Sequence, residues 1–133
     1  MVGLPSALDA AQEIAEEISP APVTFKRISS ATALKRRLDW GKPDLTIIDV
    51  RDRASFNQER ITGAVLVDRE DLIPQVNAML EVNRDIYIYG ADEKRVINAA
   101  SQLDRAGFYR VAILEGGLAA WKAVKGPTEG RSA

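Results

Sequence analysis

Apolar positions change period along the chain, and each change marks a structural element. After Ser6, which stands three residues ahead of Asp9 in a capping-box arrangement, Leu8, Ala11, Ile14 or Ala15, and Ile18 recur at helical spacing up to Pro20 and Pro22. This pattern predicts a short amphipathic N-terminal helix. Residues 23–28 mix β-branched and aromatic side chains in a strand-like run. From about Ser30, Ala31, Leu34 and Leu38 share one face of a second helix, which Gly41 and Pro43 end. Residues 45–50 are almost continuously apolar, as a strand covered on both faces should be. Residues 64–67, 86–89 and 111–114 repeat that pattern.

Helical stretches lie between these runs. Residues 74–80 form a short one, with Pro74 in its first turn. Residues 94–106 carry Val96, Ala99, Ala100 and Leu103 on one face. Gly107 then sits where a left-handed C-terminal residue belongs, and Phe108 is expected to pack back on Leu103. Residues 118–125 make the last helix before Gly126-Pro127. Strands that alternate with helices, none joined by a hairpin turn, predict an α/β fold: a parallel sheet with helices on both faces.

Length and composition narrow the function. A chain of 133 residues is one domain, and 46% apolar with 28% charged residues is a globular balance. Lys+Arg is 18 and Asp+Glu is 19, so no global field draws in nucleic acid or an anionic membrane. There is no Cys, which excludes a disulfide, a thiolate nucleophile, an Fe–S cluster and a zinc site built on sulfur. There is no His either, so Ser–His–Asp and Cys–His hydrolases are excluded too. No apolar run approaches the ~18 residues of a membrane span, and no basic segment precedes an apolar one at the N-terminus. The expectation is a cytoplasmic protein without cofactor, nucleic-acid partner or membrane.

In an open parallel sheet, ligands gather at the loops leaving the carboxyl ends of strands. Two such loops stand out: residues 49–53, beginning Asp49-Val50-Arg51, and Gly90-Ala91-Asp92-Glu93-Lys94-Arg95. The second runs from a buried strand into a helix, which aims amides and the helix dipole at its contents, so its default ligand is an anion. Asp49 and Arg51 are expected to satisfy each other and nearby backbone groups. Gly90 suits either a sharp turn, with close approach of another backbone, or a ligand-accepting loop. Gly116-Gly117 reads as a turn and close-packing feature, and Trp121, three residues after Leu118, as core. Asp68, Glu70 and Asp71 read as helix-start dipole partners, not as a metal site. Residues 26–42 hold Lys26, Arg27, Lys35, Arg36, Arg37 and Lys42 against Asp39 alone. Residues 1–25 hold Asp9, Glu13, Glu16 and Glu17 and no base. Two solvated helix faces account for this, or else the basic stretch docks an acidic protein partner.

The stretch IIDVRDRASFNQERITGAV resembles the first signature of rhodanese-like domains: a strand ending Asp-Val-Arg, an aromatic, then Ile-x-Gly-Ala. RDIYIYGADEKRVINAASQLDRAGFYRVAILEGGLAAWKAVKGPTE is similar to the second half of the same domain. The resemblance covers residues 23–129 and leaves 1–22 as helix and linker and 130–133 as a tail. It implies a three-layer α/β/α fold around a five-stranded parallel sheet. In active rhodaneses the first loop residue is a Cys that carries a persulfide; the matching position here is Gly90. A side chain at that position would be expected to project to the loop's centre. Where the family usually has His before Ile-x-Gly-Ala, this chain has Arg60. Asp92 and Glu93 put negative charge where thiosulfate would sit. Dual-specificity phosphatases related in fold also need a loop Cys, in a loop one residue longer. The expectation is a non-catalytic rhodanese-like module binding a protein or small anion through residues 90–95, with Asp49 and Arg51 beside it. The alternative is a sulfurtransferase-related enzyme whose thiol comes from a partner or substrate.

Overall fold

The computed structural model describes residues 27–41 and 44–131, so the N-terminal helix expected before residue 22 lies outside the described residues. The chain forms β1 (Ile28–Ser29), α1 (Ala31–Asp39), β2 (Leu45–Asp49), α2 (Arg53–Gln58), β3 (Arg60–Ile61) and β4 (Val65–Leu66). It continues through α3 (Leu72–Met79), β5 (Asp85–Tyr89), α4 (Glu93–Arg105), β6 (Val111–Leu114), α5 (Gly117–Ala123) and β7 (Thr128–Glu129). Five strands make one parallel sheet in the order β1-β6-β5-β2-β4. The architecture is the three-layer α/β/α arrangement the resemblance implies.

Alternation along the strands sorts side chains into two cores. Ile48, Ile86, Ile88, Val111 and Ile113 face α3 and α4, where they meet Leu72, Val76, Val96, Ala99 and Leu103. Leu45, Ile47, Tyr89 and Leu114 face the other way, against Ala31, Leu34, Ile61 and Trp121. A strand buried on both faces must be apolar at every position, which is why these runs show no period.

Helix ends follow from local chemistry. Ser30 caps α1, its hydroxyl accepting the Ala33 N–H at 3.0 Å. Beyond α4, Gly107 has φ +103°, and the Phe108 N–H donates to the Leu103 carbonyl at 3.0 Å with the Phe108 ring fully buried. Helix α3 begins two residues ahead of the expected Pro74, which sits in its first turn where an N–H would lack an intrahelical acceptor. Two features were not expected. Helix α2 buries no residue, so it left no apolar period; its signal was Asp52, whose carboxylate accepts the Ser55 N–H at 2.7 Å. Strands β3 and β7 form a separate antiparallel pair, Arg60 opposite Glu129 and Ile61 opposite Thr128, each too short to leave a pattern.

Among the described residues, no helix is long and apolar enough to cross a membrane.

Candidate functional site

The loops after β2, β5 and β6 lie at the carboxyl end of the sheet. Asp49 ends β2 fully buried, and its carboxylate accepts the Arg51 backbone N–H at 2.8 Å, Nε at 3.0 Å and Nη2 at 2.7 Å. The same guanidinium donates to the Glu59 carbonyl at 2.7 Å and lies 5.4 Å from the centre of the Tyr89 ring. Hydrogen bonding to Asp49 raises the Arg51 pKa above its ordinary value. Burial likewise pushes the Tyr89 phenol up, and its oxygen accepts the Ile61 N–H at 3.1 Å. Asp49 and Arg51 are thus committed to each other and to the backbone, and neither lines the cleft beside loop 90–95.

Loop 90–95 carries β5 into α4. Asp92 is the helix cap: its carboxylate accepts the Arg95 N–H at 2.9 Å and pairs with the Arg95 Nε at 3.3 Å. An internal carboxylate therefore occupies part of the helix N-terminus that an anion would use. At Gly90 the backbone is closely packed. An ideal Cβ there would lie 2.9 Å from a Val50 methyl and 2.9 Å from a Val96 methyl, so one or both valines must shift to admit any side chain.

Across from this loop, Gly116 (φ +78°) and Gly117 (φ +57°) turn the chain from β6 into α5. A Cβ on Gly116 would stand 2.5 Å from the Ala120 Cβ, so the turn needs glycine for space as well as for dihedral angle. Behind it Trp121 is fully buried and donates Nε1–H to the Pro127 carbonyl at 2.8 Å.

Between these walls lies a cleft of about 440 Å³. Residues 90–93, Val96 and Ile97 form one side; Ile28 and residues 113–117 form the other. Sequence reasoning found the first wall and missed Ile28, Ile97 and Glu115. Glu115 was within reach of the same rule, because it directly follows the carboxyl end of β6. The cleft lining holds three carboxylates (Asp92, Glu93, Glu115) and no cationic side chain.

The other sequence candidates lie apart. The Asp68 carboxylate is turned onto the Glu70 N–H at 3.0 Å, and Asp71 starts α3 without a side-chain cap bond. Of the basic segment, Lys35 pairs with Asp39 at 3.4 Å, and Arg37 donates to Asp85 at 2.7 Å and to the Tyr87 hydroxyl at 3.1 Å. Asp85 also takes Arg110, and the Arg110 hydrogen bond, followed by that from Arg37, holds its carboxyl below the usual range. Lys26, Lys42 and the acidic residues of 1–25 lie outside the described residues.

The family model described as the rhodanese-like domain matches residues 30–124. A crystal structure of the Alr3790 protein from Anabaena sp. is 50% identical, with 79% of this chain and 94% of that chain covered and a TM-score of 0.75. The solution structure of the rhodanese-like domain of Alr3790 is 48% identical over 81% of this chain and 82% of that one, also with a TM-score of 0.75. A thiosulfate sulfurtransferase from Pseudomonas aeruginosa shares the fold at 24% identity and a TM-score of 0.72, with 78% of this chain but 20% of that chain covered. None of the curated proteins matches the sequence. With its loop, its sheet order and its Gly-Gly turn in place, this cysteine-free chain belongs to the rhodanese-like domain family.

Proposed function

We propose that this domain is a non-catalytic binding module that takes a protein partner in the cleft around the former active-site loop. One observation carries the reading: the cleft is open, while the position that bears the persulfide cysteine in active members is Gly90, with Val50 and Val96 crowding the space a side chain would enter. Sulfur transfer needs a thiolate that attacks and later leaves, and this chain supplies none. A small anion is the less favoured occupant. Asp92 already engages the Arg95 amide, and Glu93 and Glu115 add negative charge to the lining.

The test is a thiosulfate and cyanide incubation of the purified protein, read as thiocyanate. The expected result is no product above blank, with or without an added small thiol. Turnover proportional to protein concentration and surviving repurification would overturn the reading; turnover only with the thiol would establish the sulfurtransferase alternative.

A further inference from the structure

Resting on that reading, we propose that the cleft selects a basic, aliphatic segment of a partner polypeptide, an arginine or lysine flanked by leucine-like residues. The stem of the basic side chain lies along Ile28 and Ile97, and its cationic head meets Glu93 and Glu115.

Three observations point to this occupant. The first is apolar exposure at the rim. Ile28 is 58% and Ile97 38% exposed, although both are large aliphatic residues, and Val96, Ile113 and Leu114 continue the apolar surface inward. The second is charge. Of the three lining carboxylates, Asp92 is compensated by Arg95, whereas Glu93 and Glu115 make no side-chain hydrogen bond or ion pair among the described residues. The third is size. About 440 Å³ accommodates one or two side chains, and the apolar rim continues beyond what a small free amine would cover. Arginine and lysine match such a surface because their methylene stems pack on apolar groups while the head stays at the charged edge. An acidic or phosphorylated segment would bring like charges within a Debye length of two uncompensated carboxylates.

The test uses the full chain labelled with ¹⁵N and three acetylated, amidated peptides: Leu-Arg-Leu-Arg, Leu-Gln-Leu-Gln and Leu-Glu-Leu-Glu. The arginine peptide should saturably shift the amides of Gly90, Ala91, Gly116 and Gly117. The glutamine peptide should bind about threefold to tenfold more weakly and the glutamate peptide not at all. The double variant Glu93→Gln/Glu115→Gln should bring the arginine peptide down to the glutamine level. Both residues are exposed and only Glu93 lies in a first helical turn, so its thermal midpoint should fall by no more than a few degrees. Equal binding of all three peptides, full affinity in the double variant, shifts centred elsewhere or no saturable shift would each overturn the proposal. A thiosulfate titration separates this failure from that of the parent reading. If thiosulfate and not the arginine peptide moves the amides of Gly90, Ala91, Gly116 and Gly117, the non-catalytic reading stands with a small anion as occupant, and both the protein partner in the cleft and its basic segment fall. Thiocyanate production would remove the non-catalytic reading whatever the peptides do.

Discussion

A cysteine set back at position 90 would meet its neighbours before it met a substrate. Both Val50 and Val96 are buried, and a Cβ 2.9 Å from a methyl of each forces one or both to move. Overpacking of that kind costs about 1–3 kcal/mol. Gly90→Cys should therefore lower the unfolding free energy measured in urea by that amount. Adding Val96→Ala should recover part of the loss, although Val96→Ala alone is destabilising because it leaves a cavity. Urea melts of the four proteins measure the coupling, and additive effects would mean that the two side chains do not share the space. The sequence analysis identified Gly90 and the Asp49–Arg51 pair, because a missing cysteine and two opposite charges two residues apart are visible in one dimension. What Val50 and Val96 do at that spot was not visible, since Val50 is remote in the chain and Val96, though only a helical turn or so away, is aimed at Gly90 only when β2, β5 and α4 pack.

Among the elements, α4 carries the clearest local signals and the most direct test. Its apolar face, its Asp92 cap and the left-handed Gly107 with Phe108 folded back behind it all agree. A Cβ at Gly107 would find room, its nearest neighbour being a Val82 methyl at 3.7 Å, so the cost of substitution is conformational. Gly107→Ala should destabilise the domain by about 1 kcal/mol in urea melts, and a neutral result would show that φ there relaxes freely. Elements held by tertiary contact were the ones missed. The short β3–β7 pair is fastened by side chains: Arg60 pairs with Glu129 at 3.2 Å, while Glu59 takes Lys122 at 2.8 Å and the Thr128 hydroxyl at 3.0 Å. No period in the sequence encodes such a clasp.

At the scale of the whole molecule, the absence of histidine sets how stability responds to pH. Asp85 is held below the ordinary carboxylate range chiefly by Arg110, Glu59 by Lys122 and Asp52 by the Ser55 N–H. A depressed folded pKa gives stability that is present above the unfolded value of about 4 and is lost as pH falls through the folded one. Tyr89 works the other way: its raised pKa keeps stability below about pH 10 and withdraws it above. Urea midpoints should accordingly be flat from about pH 5.5 to 8.5, with an acid limb below about 4; a slope inside that window would contradict the assignment. The parallel sheet was legible from its apolar runs, but the strand order was not, because periodicity names elements without naming their neighbours. That order has a consequence in time. Ile28 at the sheet edge pairs with Ile113, and β2 in the middle pairs with β5, so of the parallel sheet's ladders only β5–β6 joins strands consecutive in the chain. Such long-range pairing slows folding, because loops must close before the contacts that reward closure can form. During synthesis β1 must remain without its ladder partner until β6 has left the ribosome, so the first strand of the parallel sheet is secured only with the last.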